Sequence, residues 1–242
     1  MKQVAVLIPA RLGSTRLPEK CLMKLDGVTI VRRVWQAAVA SGAGRVIVAC
    51  DHERIAREIQ DAGGEAILTD TALASGTDRI AAVLPQVRED IIVNLQGDEP
   101  FIGPEIIKSA VEPFLADPDL EMGTIASPRA ASRDEFNPSQ VKVVTDRQGR
   151  ALYFSRSLIP YPRDSQQTTV LAHIGLYVYR RDFLQSYATW PMGTLENIEK
   201  LEQLRALERG VRIRVVTVDY DGFGIDTAED LQRAKAKLGE RS

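Results

Sequence analysis

The sequence predicts an α/β protein: a doubly wound, mostly parallel sheet with an antiparallel extension or small lobe. Three observations predict it. Short runs rich in Val and Ile, at residues 4–8, 45–49 and 91–95, lack polar alternation, as parallel strands buried on both faces do. Segments with apolar residues at helical spacing lie between them, the βαβ rhythm of right-handed crossovers. After about Glu121 the rhythm changes to several strands with few helices between them.

The elements follow in order. The first run ends at Pro9 and leads into a polar loop. Residues 28–40 and 53–62 read as helices, the second stopped by Gly63-Gly64. Residues 77–87 read as a third helix with Ser75 or Thr77 as its cap. Residues 104–115 read as a fourth with Pro104 in its first turn. Beyond Glu121, residues 122–127, 141–145, 151–154 and 173–179 read as strands, with Asp146-Arg-Gln-Gly149 as a hairpin turn. This antiparallel region, about 121–195, carries Tyr153, Phe154, Tyr161, Tyr177, Tyr179 and Trp190. They are expected to be exposed, lining a substrate pocket or a subunit contact. A helix over 195–208, a strand over 212–218 and a helix over 228–238 complete the chain, the last opened by a capping box at Thr227–Asp230. The 242 residues fit a single domain, 1–242, that contains the antiparallel region.

Composition narrows the function. Lys and Arg total 31 against 33 Asp and Glu, a net charge of −2, so the basic excess of a nucleic-acid footprint is missing. No apolar run approaches the ~20 residues of a membrane span, and the opening residues read as a strand rather than a signal peptide. Neither nucleic acid nor membrane is an expected partner. Cys21 and Cys50 make no metal-binding pattern and suit a reducing compartment, so the expected location is cytoplasmic.

Pro9-Ala-Arg-Leu-Gly-Ser-Thr-Arg-Leu-Pro-Glu-Lys20 follows the first strand. Ligands of doubly wound sheets bind beyond the carboxyl ends of strands. Gly13 permits close approach of backbone, Ser14 and Thr15 offer hydroxyls, and Arg11, Arg16 and Lys20 offer cations for phosphates. The loop matches neither the Walker A pattern nor the dinucleotide fingerprint. Spacing alone leaves a phosphate cradle and a solvated basic loop both open.

Carboxylates are the second signal. The strand at 91–95 runs into Gln96-Gly-Asp-Glu-Pro100, where Asp98 is placed to bind Mg²⁺ at a nucleotide; Glu99 is a supporting group or a helix cap. Asp221-Gly-Phe-Gly-Ile-Asp226 precedes the last helix, and Asp226 is a second metal ligand or a cap. Ser75-Gly-Thr-Asp-Arg79 opens the third helix as a base or phosphate reader, or as ordinary capping with Arg79 paired on the surface.

Together these residues resemble the 3-deoxy-manno-octulosonate (Kdo) cytidylyltransferase family over nearly the full length. Ile8-Pro-Ala-Arg-Leu-Gly-Ser-Thr-Arg-Leu-Pro18 is shared widely among sugar nucleotidyltransferases. More specific are Asn94-Leu-Gln-Gly-Asp-Glu-Pro100, Asn137-Pro-Ser-Gln-Val-Lys-Val-Val144, Ala151-Leu-Tyr-Phe-Ser-Arg156, Ile159-Pro-Tyr161, His173-Ile-Gly-Leu-Tyr-Val-Tyr-Arg180 and Leu201-Glu-Gln-Leu-Arg205. The resemblance implies the nucleotide-diphospho-sugar transferase type of fold. It implies transfer of CMP from CTP to the anomeric hydroxyl of Kdo with release of pyrophosphate, Mg²⁺ as cofactor, and a homodimer formed through the antiparallel region. It implies Arg11, Lys20 and Asp98 as catalytic, and Pro9, Ala10, Arg11, Gly13, Ser14, Thr15, Lys20, Ser75, Gly76, Arg79 and Asp98 around the nucleotide. Asp98 and Asp226 would hold metal, and Gln96, Arg156, His173, Tyr177, Glu202 and Gln203 would line the sugar pocket. His173 is not expected to be a general base.

The chain departs from the family's usual Leu-Pro-Gly-Lys-Pro at Leu17-Pro-Glu-Lys-Cys21, where Glu19 is expected to weaken triphosphate binding or to pair with Lys20. The stretch between Arg163 and Leu171 is short, which leaves other acid sugars, such as 8-amino-Kdo or a sialic-acid-like substrate, open. Glu19 and Cys21 also leave open a nucleotide-binding protein without turnover.

Overall fold

The computed structural model describes residues 3–14, 16–73, 75–132 and 137–239. The chain forms two compact units, one of residues 1–108 and 222–242, the other of residues 109–221.

In the first unit, β1 (Val4–Ala10) pairs in parallel with β4 (Arg45–Cys50) on one side and β6 (Ile91–Leu95) on the other, and β4 pairs in parallel with β5 (Glu65–Leu68). Every residue of β1 and β6 is buried, which is what two covered faces demand of a parallel sheet. The crossovers are α1 (Ile30–Ser41), α2 (Glu53–Gln60) and α3 (Gly76–Val83). Residues 28–29, read from sequence as the start of α1, instead form β3 (Val28–Thr29), a small hairpin with β2 (Lys24–Leu25). Thr29 caps α1 through its hydroxyl. The third helix ends at Val83 and tightens into a 3-10 turn over Leu84–Gln86. The four-residue β5 was not expected; it is too short, and too polar at its start, to show a period. The helix α4 (Pro104–Ala116) starts where expected.

The second unit holds β7 (Met122–Ser132), β8 (Lys142–Thr145), β9 (Ala151–Ser155), β10 (Gln167–Arg180) and β11 (Ile213–Thr217). Antiparallel pairs join β7 with β10, β10 with β8 and β8 with β9, while β11 lies parallel to β7. The turn at 146–149 closes the β8–β9 hairpin, with Gly149 at positive φ donating to the Asp146 carbonyl. His173 lies within the long β10, not at a strand start. The aromatics are not an exposed set: Phe154 and Tyr179 are buried, Tyr153, Tyr177 and Trp190 half-buried, and only Tyr161 is exposed. Buried area, rather than an outward face, is what these rings supply. The expected helix at 195–208 is two helices, α6 (Thr194–Glu199) and α7 (Leu204–Glu208), preceded by an unpredicted α5 (Arg181–Tyr187). In the first unit again, α8 (Ala228–Gly239) closes the chain, capped by the expected Thr227–Asp230 box.

Candidate active site

The carboxyl ends of β1 and β6 are Ala10 and Leu95, and their loops, with the start of α3, surround a cavity of about 230 Å³. The first loop contributes Pro9, Ala10, Arg11, Ser14, Arg16 and Lys20; the start of α3 contributes Ser75, Gly76 and Arg79; the β6 loop contributes Gln96, Gly97 and Asp98; and Asp226 completes the wall. The fold thus gathers nearly all the residues expected at the nucleotide and metal. Gly13 is the exception: it does not line the cavity, and a Cβ built there meets nothing within 4 Å among the described residues. Thr15 lies outside the described residues. Gly97 is a different matter. A Cβ there would stand 2.7 Å from the Pro9 carbonyl oxygen, so only glycine lets the β6 loop close against β1.

Lys20 is the electrostatic centre. Its ammonium donates to Asp98 Oδ2 at 2.5 Å, Asp226 Oδ1 at 2.8 Å and the Ile225 carbonyl at 3.0 Å. Arg16 reaches the other oxygen of Asp226 at 2.9 Å. A hydrophobic cluster brings these groups together: Leu17 of the loop and Ile225 beside Asp226 are buried with Leu25, Ile30 and Ala234. Each fully buried aliphatic side chain contributes about 1.5–3 kcal/mol, so the charges ride on neighbours held by packing. Ile225 also donates its N–H to the Asp98 carbonyl at 2.9 Å. Burial lowers the Lys20 pKa, but the Asp98 charge and the two carboxylate hydrogen bonds outweigh it and hold the ammonium above its ordinary value. At Asp226 burial raises the carboxyl, and the hydrogen bond and charge of Lys20, with Arg16, bring it below the usual range.

The sequence left Asp226 open as a helix cap. The α8 cap is Thr227, whose hydroxyl accepts from Asp230 N–H at 3.1 Å, and the Asp226 side chain faces the cavity instead. Asp98 and Asp226 each place an oxygen within 2.8 Å of one ammonium nitrogen, so they converge on a single cation position. Among the described residues no third His, Cys, Asp or Glu joins them. Two carboxylates with water and phosphate oxygens make the usual donor set of Mg²⁺ at nucleotides, so the residues fit that ion.

Ser75 caps α3 in a reciprocal box with Asp78. Arg79 is not paired on the surface. It is 3% exposed, and its guanidinium donates to Thr69 Oγ1 and to the Asp70 carbonyl, with Asp51 Oδ2 at 3.7 Å. Sequence reasoning missed Asp51, which also accepts the Leu12 N–H at 2.8 Å. One carboxylate at the end of β4 therefore holds both the first loop and Arg79. Its position straight after a buried parallel strand was the available signal.

Glu19 does not pair with Lys20. Its backbone is left-handed, with φ 55°, a conformation that glycine adopts without steric cost. The carboxylate forms a bidentate pair with Arg54, at 2.6 and 3.0 Å. That pair offsets part of the strain and directs the negative charge to α2. Cys21 is buried with its Sγ on the Arg11 carbonyl, and loss of solvation pushes its thiol up to about 12.

The second unit holds the remaining expected residues. Thr124 Oγ1 donates its one proton to the Leu176 carbonyl at 2.7 Å, so its 2.9 Å contact with His173 Nε2 is an N–H donated by the ring. That places a proton on Nε2. Loss of solvation lowers its pKa to about 3, which removes it as a general base near neutrality. The His173 ring lies 5.4 Å from that of Tyr177, across the register shift in β10 between Ile174 and Tyr177; bulges commonly re-aim side chains in this way. Burial raises the Tyr177 phenol, and its hydroxyl donates to Gln203 Oε1 at 3.0 Å. Gln203 is 3% exposed, and its Nε2 has no partner among the described residues, a donor suited to a ligand oxygen. Arg156 spends donors on the carbonyls of Glu199, Pro138 and Lys200. Glu202 lies 4.0 Å from Arg205.

A family model described as cytidylyltransferase matches residues 5–213. The chain is 48% identical to the 3-deoxy-manno-octulosonate cytidylyltransferase of Trichlorobacter lovleyi, covering 98% of each chain. It is 46% identical to the enzyme of the same name from Syntrophotalea carbinolica, covering 97% of this chain and 98% of that one. The solved structure of CMP:2-keto-3-deoxy-manno-octonic acid synthetase complexed with CTP is similar at TM-score 0.94 and 39% identity, over 99% of this chain and 100% of that one.

Proposed function

This chain belongs to the 3-deoxy-manno-octulosonate cytidylyltransferase family, and we propose that it transfers CMP from CTP to the anomeric hydroxyl of Kdo, yielding CMP-Kdo for lipopolysaccharide synthesis and pyrophosphate. The observation that carries this reading is the convergence of Arg11, Lys20, Asp98 and Asp226 on one cavity at the carboxyl ends of parallel strands.

In the reaction the anomeric hydroxyl gives up its proton to solvent, its oxygen bonds to the α-phosphorus, the bond from that phosphorus to the β-phosphate bridging oxygen breaks, and pyrophosphate leaves with the electron pair. An anionic sugar approaches a polyanionic nucleotide, so charge compensation and positioning dominate catalysis. Arg11 and Lys20 supply fixed positive charge at the triphosphate. Ser14 and the N-terminal turn of α3, opened by Ser75 and Gly76, supply hydrogen-bond donors for the nucleotide, and buried Arg79 sets that wall. Asp98 and Asp226 hold the Mg²⁺, which when bound supplies charge neutralisation on the phosphate oxygens. By family resemblance Gln96, Arg156, His173, Tyr177, Glu202 and Gln203 read the sugar acid. The neutral His173 contributes a hydrogen-bonding group, and the unpaired Nε2 of Gln203 contributes a donor. The protein is proposed to act in the cytoplasm, consistent with its two free, buried thiols, and as a homodimer.

Protein incubated with CTP, Mg²⁺ and Kdo should release pyrophosphate, and chelation of the metal should stop it. Silence with Kdo but turnover on another acid sugar in a parallel panel would move the specificity, and silence on every sugar would end the reading. Asp98→Asn should reduce turnover on the order of a hundredfold or more, while full activity in that variant would remove Asp98 from the site.

A further inference from the structure

We infer that Lys20 determines the form in which metal enters this site: as a tethered cation it fills the carboxylate pair, so the site accepts a divalent ion together with nucleotide and refuses the free ion. The inference rests on the proposed role of Asp98 and Asp226 as metal ligands.

The geometry is that of a saturated group. An ammonium has three donors, and Lys20 directs them at three acceptors: one oxygen of Asp98, one of Asp226 and the Ile225 carbonyl. Its side chain is 14% exposed. With Arg16 on the second oxygen of Asp226, two cations face two carboxylates and the local charge is balanced. A bare divalent ion would have to evict the ammonium and leave it part-buried with no counter-charge. It would also raise the local charge to two net positives at a few ångströms, where repulsion is strong. A nucleotide changes both terms. Its phosphates bring negative charge to offset the metal, and they offer the ammonium new acceptors.

The backbone is set for that exchange. Lys20 opens a 3-10 turn at Lys20–Leu22, held by Leu22 N–H on the Glu19 carbonyl at 2.9 Å, by the Glu19–Arg54 pair and by buried Cys21. The anchor stays, and rotation of the flexible four-carbon stem carries the ammonium. Arg11 and Ser14 border the same cavity, so a phosphate held there is within the sweep of that stem.

The test is binding of Mn²⁺ to wild type, Lys20→Met and the Lys20→Met/Asp98→Asn double variant, counted without CTP as loss of the free-ion spin-resonance signal and with CTP as enhancement of water-proton relaxation over a protein-free Mn²⁺–CTP control, because CTP alone removes the free-ion signal. Wild type should bind Mn²⁺ with CTP and not alone. Lys20→Met should bind Mn²⁺ alone at least about tenfold more tightly than wild type, and the double variant should lose that gain. Equal affinity of wild type and Lys20→Met for Mn²⁺ alone overturns the inference and leaves the metal reading in place. Failure of wild type to bind Mn²⁺ even with CTP overturns the ligand assignment of the carboxylates and the inference with it. Circular dichroism checks the fold of the variants. If Lys20→Met does not fold, Lys20→Gln replaces it, and tight Mn²⁺ binding by wild type without CTP is alone sufficient to overturn the inference.

Discussion

At Lys20 and at His173 loss of water acts in the same direction, lowering the pKa of a basic group, yet the outcomes are opposite. Lys20 has two carboxylates to outweigh it and ends higher. His173 is set among Thr124, Phe154 and Tyr177, with burial the sole cause of its shift, and falls from 6.5 to about 3. The sign of the linked stability follows. Between those two values the unfolded chain takes a proton that the folded chain refuses, so the His173 contribution is intact above 6.5 and is lost as pH falls toward 3. The slope from this one group is about 1.4 kcal/mol per pH unit. His173→Gln should flatten the dependence of unfolding free energy on pH between about 5 and 6.5, measured by urea titration; identical slopes in wild type and variant would contradict a desolvated, neutral imidazole.

The elements of the first unit follow from local pattern, and those of the second do so less well. The apolar runs that became β1, β4 and β6 and the capping signals of α3 and α8 were legible, because burial on two faces and cap chemistry are written in adjacent residues. The helix expected at 195–208 was wrong in its middle. Lys200 takes φ 53°, and the two halves fold back so that Arg205 of α7 meets Glu196 of α6 through two hydrogen bonds at 2.7 and 2.5 Å. Helical spacing reports an apolar face, and two short helices packing the same way share it. Burial raises the Glu196 carboxyl, and Arg205 brings it below its usual value. Arg205→Ala should cost about 3–5 kcal/mol in chemical unfolding, because it strands a buried carboxylate, whereas paired replacement by Met and Leu should cost much less. A loss under about 1 kcal/mol in the single variant would show that the pair does not hold the elbow.

For the whole molecule, the charge balance of −2 leaves solution behaviour to apolar surface. In the second unit Leu152, Tyr161, Met192 and Ile198 are all more than 60% exposed. The proposed homodimer would cover such side chains. Light scattering at micromolar concentration should give twice the chain mass, and Ile198→Asp should shift the population toward monomer. A monomeric mass for wild type would remove the proposal. Among the described residues no helix is long and apolar enough to cross a membrane.

The sequence by itself determined the parallel strands, the cationic loop after the first of them and the acids after β6 and before α8. Each is a run of neighbours whose hydrophobicity or charge is readable in place. Only the tertiary structure decided who meets whom. Asp98 and Asp226 share one ammonium, Asp51 ties the first loop to Arg79, and Glu19 faces Arg54 rather than Lys20. The reason is that ionic attraction depends on distance and solvation, while any acid in a sequence is an equally good partner for any base. The burial of Leu17 and Ile225 in one hydrophobic cluster brings their charged neighbours within reach, and that packing has no counterpart in sequence spacing.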